Sequence, residues 1–227
     1  MHFLLLGATG RTGKHVVTEL LAQGHTAVAL VRNPSAVTGR KGLTVVQGSP
    51  LVKADVEKAL TAAPAPLAVS AAIITLNTVR ASDSPFAAQV SPPRFLADSC
   101  ETACAALLAH GIRRVVVMST AGAGDSWKGL PFVSRAFMGW TNIKYAVTDH
   151  NLVDKEIRQT ETDWTLVRPM RLEYDDAAPA KDMNILDSVG GGKLGMRDYA
   201  HITSVARLLV KIAVEELYVK EAIVVRD

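Results

Sequence analysis

Gly7, Gly10 and Gly13 stand three residues apart in Gly7-Ala8-Thr9-Gly10-Arg11-Thr12-Gly13. The apolar run Phe3-Leu4-Leu5-Leu6 precedes them, and a helical pattern opens directly after them at Lys14-His15-Val16-Val17. These residue types at this spacing suit the holding of a diphosphate. A helix N-terminus carries unpaired N–H groups and roughly half a positive charge, and an anion reaches them only where no side chain obstructs the preceding turn. Gly7 is expected to turn the chain sharply out of the strand, Gly10 to admit the pyrophosphate, and Gly13 to let the helix lie close on the sheet. Thr9, Arg11 and Thr12 add hydroxyl and guanidinium donors. The spacing is Gly-x-x-Gly-x-x-Gly rather than the commoner Gly-x-Gly-x-x-Gly, so the strand–turn–helix context carries the dinucleotide reading.

A second position bears on cofactor choice. The strand His25 to Val31 ends at Arg32, where NAD-dependent proteins place an Asp or Glu on the adenosine ribose. A guanidinium holds a 2′-phosphate through paired charge-assisted bonds, whereas a carboxylate repels it. Arg32, assisted by Ser35, therefore points to NADP(H).

The elements that must position these residues alternate along the chain. A first helix over 14–23 ends at Gly24. Strands follow at Leu43 to Gly48, Leu67 to Leu76, Arg113 to Met118, Trp164 to Val167 and Ala222 to Val225. Helices are expected at 53–62, 94–110, 147–160 and 205–217, with a turn at Pro64-Ala65-Pro66. This alternation predicts an α/β chain, 1–227 as a single Rossmann domain with a doubly wound parallel sheet and helices on both faces. Three stretches, 77–93, 121–145 and 170–200, read as irregular loops at the carboxyl edge of the sheet, where substrates bind. The second holds Trp127, Phe132, Phe137, Trp140 and Tyr145 in a chain that is only 5% aromatic. It is read either as an aromatic wall for a planar substrate or as packing anchors for a long loop. The third carries Gly190-Gly191-Gly192.

Composition excludes several classes of partner. The net charge is +3, with no basic block, so nucleic-acid binding is not favoured. No apolar run is long enough to cross a membrane and no leader peptide is apparent, so no membrane partner is expected. Cys100 and Cys104 lie on one face of a helical stretch without further metal ligands and read as core residues, in keeping with a reducing, cytoplasmic setting.

Together Gly7 to Gly13, Leu30-Val31-Arg32, Val46-Gln47-Gly48, Val115 to Thr120, Ala146 to Lys155 and Trp164 to Pro169 resemble the atypical short-chain dehydrogenase/reductases, in the NmrA-like and flavin reductase/biliverdin-IXβ reductase branch. The resemblance spans nearly the whole chain. It implies NADP(H) at the first turn with Arg32 on the 2′-phosphate, Ala72 to Thr75 along the cofactor, Ser119 beside the nicotinamide, and the segment at Pro169 on its carboxamide. It also implies flavin-like, quinone-like or tetrapyrrole substrates, and leans towards a monomer or weak homodimer. Three departures stand out. Gly48-Ser49 replaces the usual Gly-Asp at the adenine, so Ser49 offers a hydroxyl there. Ile73-Ile74-Thr75 stands where a glycine is commoner. The Tyr-x-x-x-Lys pair is missing, because Asp149 follows Tyr145 by four and Asn151 precedes Lys155 by four.

A ketone reductase needs an acid for the developing alkoxide, while a conjugated acceptor spreads the charge and takes its proton from solvent. The sequence therefore suggests an NADPH-dependent oxidoreductase acting on a planar conjugated small molecule. Ser119 would orient the substrate, and Tyr145 and His150 are candidate proton sources. Two other readings stay open. One is a non-redox isomerase or cyclase using Glu173, Asp175 or Asp176 as base. The other is an NADP(H)-sensing regulator.

Overall fold

Val-, Ile-, Leu- and Ala-rich runs too short for helices form strands, and each turns alternate side chains to opposite faces. The computed structural model describes residues 1–62, 67–186 and 194–227. In chain order the elements are β1 (His2–Leu6), α1 (Gly13–Ala22), β2 (Thr26–Val31), β3 (Leu43–Gln47), α2 (Lys53–Thr61), β4 (Val69–Ile74), α3 (Phe95–Ala109), β5 (Arg114–Met118), α4 (Phe132–Trp140), α5 (Ile143–Ile157), β6 (Asp163–Pro169), β7 (Arg171–Glu173), β8 (Asn184–Leu186), β9 (Tyr199–His201), α6 (Ile202–Val214) and β10 (Glu221–Arg226). The main sheet runs β3-β2-β1-β4-β5-β6-β10-β8. Its first seven strands are parallel, and β8 pairs antiparallel to β10 at the edge.

Alternation divides the core in two. Leu4, Leu6, Val28, Leu30, Ala72, Ile74, Val115 and Val117 pack with α2, α3 and α5, while Phe3, Leu5, Ala27, Ala29, Ala71, Ile73 and Val116 pack with α1 and α6. Both faces are covered, so the strands are apolar throughout, as buried parallel strands must be. Strand order reverses between β1 and β4, which opens a crevice at their carboxyl ends. This is the single-domain Rossmann architecture expected from the sequence.

Two stretches are more regular than expected. Residues 121–145 contain a 3-10 helix at Gly124–Gly129 and then α4, and α5 begins at Ile143 rather than at 147. α4 is amphipathic, with Phe132, Val133, Ala136, Phe137 and Trp140 at helical spacing, but it is only nine residues long and none of them is buried. Residues 170–200 contain β7, β8 and β9, each three residues long and too short to establish a period. β7 and β9 pair in parallel as a separate ribbon. The turn expected at 64–66 and the run Gly190 to Gly192 lie outside the described residues.

Candidate active site

The chain leaves β1 at Gly7 with φ +94°, a conformation only glycine adopts freely, and a Cβ there would lie 2.7 Å from the backbone carbon of Thr75. The N–H of Gly10 closes the turn onto the Gly7 carbonyl at 2.9 Å. A Cβ on Gly13 would stand 2.0 Å from the same carbonyl, so Gly13 lets α1 start against the turn. Thr75, just past β4, sets its hydroxyl 3.3 Å from the Gly7 carbonyl and ties the two strand ends together. Among the described residues, the N–H groups of Arg11, Thr12 and Gly13 donate to no protein acceptor, and α1 has no side-chain cap. These orphan donors are what an anion would satisfy.

A cleft of roughly 460 Å³ lies over this turn. Gly7, Thr9, Gly10, Arg11, Thr12, Arg32 and Thr75 line it together with Pro50, Asn77 and Arg80. Arg32 is exposed at its edge and makes no ion pair among the described residues, while Nη1 of Arg80 is buried without a partner. Unused helix-end donors and two unpaired guanidinium groups fit the phosphates of a nicotinamide dinucleotide. Arg11 is engaged differently. It reaches both carboxylate oxygens of Asp83 at 2.8 Å and lies 4.5 Å from the centroid of the Tyr174 ring, joining the turn to the 77–93 loop.

Two residues expected at the cofactor lie outside both cavities. Ser49 lines neither this cleft nor its neighbour: its hydroxyl accepts the N–H of Leu51, its own N–H donates to Asp55, and Pro50 faces the cleft instead. Ala72 is fully buried in the middle of β4, where its side chain belongs to the core, leaving Thr75 as the lining residue of that strand. Ser35 also stays outside the cleft, its hydroxyl held on Asn33.

A second cavity of roughly 540 Å³ continues from the first, with Asn77, Met118, Leu172 and Tyr174 common to both. Its walls are mostly apolar: Met118, Met138, Met170 and Met196 with Leu130, Val133, Phe137 and Ile143. At its base Ser119, just past β5, and His150, on α5, are both buried, with Ser119 Oγ 3.4 Å from His150 Nδ1. Burial disfavours the imidazolium and lowers the His150 pKa from 6.5 to about 4, so the ring is neutral at pH 7. Pro169, at the end of β6, lines the same cavity. The preceding residue on α5, Asp149, accepts the N–H groups of Leu96 (2.9 Å) and Ala97 (3.1 Å), serving as a distant cap for α3. Its burial raises its pKa and outweighs those two donors.

Other candidates lie elsewhere. Tyr145 is exposed on α5 beside Lys144 and does not reach the cavity. Of the five aromatic residues between 121 and 145, only Phe137 lines this cavity; Trp127, in the 3-10 helix, packs against a small cluster that includes Ala121, Leu130 and Met170, and Phe132 and Trp140 face solvent. Four methionines therefore stand on the wall beside the single aromatic Phe137 of that stretch. Glu173 pairs with Arg171, Asp176 with Lys14 and His15, and Asp175 accepts the N–H of Ala177, so none of these carboxylates lines the cavity. Asn77, Arg80, Met138 and Tyr174 fall within the three stretches expected at the carboxyl edge, but no local motif singles them out. They sit in loops or on α4 and meet the site only through the fold.

A buried ion network joins β6, the end of α5 and the 3-10 helix. Arg168 in β6 is fully buried, its Nη1 on Asp125 and its Nη2 on Asp154 at 2.7 Å, with Arg158 also on Asp154. Gly124, at φ +58°, admits this contact, since a Cβ there would lie 2.6 Å from Arg168 Nη2.

Comparison with known proteins agrees with this geometry. A family model described as NAD(P)H-binding matches residues 7–216. Among solved structures, the chain is similar to an anaerobillin reductase from Escherichia coli (TM-score 0.75, 20% identity, covering 100% of this chain and 97% of that one). It is also similar to a short-chain dehydrogenase/reductase from Veillonella parvula in complex with NADP (TM-score 0.73, 18% identity, 100% and 94% coverage). A third similar structure is the oxidoreductase ylbE from Lactococcus lactis (TM-score 0.74, 17% identity, 100% and 91% coverage). At these identities the solved structures speak for the fold, while the match over most of the chain shows the family: this protein belongs to the NAD(P)H-binding family.

Proposed function

We propose that this protein is an NADPH-dependent reductase of planar conjugated small molecules. The observation that carries the reading is the continuity of two cavities. A polar, cationic one lies over the glycine turn, and an apolar, methionine-lined one opens from it at Met118 and Asn77. The nicotinamide cofactor, when bound, supplies a hydride. The protein's part is to hold the phosphates at the N–H groups of Arg11 to Gly13 and on Arg32 and Arg80, and to hold an acceptor flat against the methionines. Thioether side chains adapt to flat, polarisable surfaces without fixing one outline.

Ser119 is the hydroxyl placed to orient the acceptor. Neutral His150 shares a hydrogen bond with it and steadies its rotamer. A histidine with its pKa near 4 is a poor proton donor at neutral pH, and Tyr145 lies outside the cavity. The proton on the reduced acceptor then comes from solvent, which suits flavin- and quinone-like acceptors whose charge is delocalised. The anaerobillin reductase among the similar structures is in keeping with this class.

The test is a parallel fluorescence titration with NADPH and NADH, followed by turnover on a flavin, quinone and tetrapyrrole panel. The expected result is a preference for NADPH of at least roughly tenfold that Arg32→Ala abolishes, with turnover on at least one conjugated acceptor. Binding without oxidation across the whole panel would overturn the reductase reading in favour of a cofactor sensor.

A further inference from the structure

α4 presents apolar side chains on more than the face that lines the cavity. Val133 and Phe137 turn towards the cavity rim, while Phe132, Ala136 and Trp140, four residues apart, form the adjoining stripe. Phe132 is 75% exposed and Trp140 87% exposed. One apolar surface therefore runs from the cavity wall out to solvent. The loop carrying Phe86, itself 69% exposed, is hydrogen-bonded to the α4–α5 junction through Asn142, whose side-chain amide donates to the Phe86 and Ala87 carbonyls. A run of large exposed apolar residues of this kind marks a contact surface.

The charges beside it are of one sign. Lys128, Arg135 and Lys144 lie on or beside α4 and make no ion pair among the described residues; no Asp or Glu occurs between Ser126 and Thr148, and the acid of the Phe86 loop, Asp83, is paired with Arg11. The nearest acid, Asp125, is held by Arg168. A two-fold contact with a second copy would set these cations against their own equivalents, which is costly. Aromatic residues on one face with Lys and Arg beside them are what a short helix needs to lie in a lipid interface.

We propose that α4 and the Phe86 loop dock this protein on an anionic lipid surface, with the mouth of the apolar cavity beside the point of contact. The contact is peripheral, since no described helix is long and apolar enough to cross a membrane. It goes beyond the reductase reading and does not depend on it, because lipid binding is measured with no cofactor present.

The experiment is flotation of the full chain with vesicles of phosphatidylglycerol and phosphatidylcholine in equal parts, against vesicles of phosphatidylcholine alone. Tryptophan emission and sedimentation velocity are recorded alongside. The protein is expected to float with the anionic vesicles and to shift its emission to the blue. Trp140→Ser should remove the emission shift, and either Phe132→Ser with Trp140→Ser or Lys128→Glu with Lys144→Glu should weaken partitioning at least roughly tenfold. The charge-reversal pair replaces exposed side chains, so it keeps the test sound if the apolar pair misfolds; thermal melts check both. No flotation, or equal flotation with neutral vesicles, would overturn the proposal. So would a concentration-dependent dimer that Trp140→Ser dissolves, which would assign the face to a second copy.

Discussion

At the scale of single residues, Ser119 and His150 carry the sharpest expectations. Ser119→Ala should lower turnover on a conjugated acceptor by roughly tenfold or more while leaving NADPH affinity nearly unchanged. Steady-state kinetics with a parallel cofactor titration checks this, and unchanged turnover would remove Ser119 from the chemistry. His150 sets a pH dependence of stability. Its proton is bound less well in the folded state, at a pKa of about 4 against the ordinary 6.5, so folding is penalised as acid is added. Stability should fall as pH drops from 6.5 towards 4 and level off below. The full penalty is on the order of 3 kcal/mol, and His150→Gln should flatten that part of the profile. Urea melts across the range measure it. Activity should show no histidine titration between pH 5 and 8, because the ring stays neutral there.

At the scale of elements, the strand–turn–helix unit and the β6 anchor are the points where little can change. Gly13→Ala places a methyl 2.0 Å from the Gly7 carbonyl and must push α1 off the sheet. The expected cost is about 3 kcal/mol or more, with loss of cofactor binding, read by denaturant melts and NADPH titration. Arg168→Met should cost on the order of 2 kcal/mol by leaving buried Asp154 with Arg158 as its remaining partner and Asp125 without Arg168, and should loosen the Gly124–Gly129 segment that leads to Leu130 on the cavity wall. Thermal melts and hydrogen exchange at 121–131 would show both effects. If exchange there is unchanged, the network stabilises β6 but does not position the wall.

At the scale of the whole molecule, the cofactor cleft joins the glycine turn, the 77–93 loop and the segment after β6, with Arg11 holding Asp83 and stacking near Tyr174. A ligand that bridges these parts should stabilise all of them together. At a hundredfold excess over its dissociation constant, NADPH should add about 2.7 kcal/mol of stability. A single, concentration-dependent thermal transition is the expected readout, and NADH at equal concentration should shift it less. A melt unmoved by either nucleotide would argue against the cleft as their site.

By itself the sequence determined the Rossmann sheet, its flanking helices, the glycine turn and the position of Arg32. Each of these depends on local pattern: alternation in strands, apolar stripes on helices, and glycine where a Cβ cannot fit. It missed α4 because nine residues show little more than two turns of period, and missed β7 to β9 because three residues show none. It left the aromatic residues of 121–145 as either a substrate wall or packing anchors, whereas the fold packs Trp127, turns Phe132 and Trp140 outward and brings in methionines from β5, α4, the residue after β6 and the segment before β9. Ser49 and Ala72 were placed by resemblance at the cofactor, yet a local hydroxyl turn occupies one and the strand's inward phase buries the other. Only the tertiary structure set His150 beside Ser119 and put Arg80 and Tyr174 at the cleft. Those pairings depend on how loops from distant strands converge at the carboxyl edge of the sheet, and such convergence leaves no periodic trace along the chain.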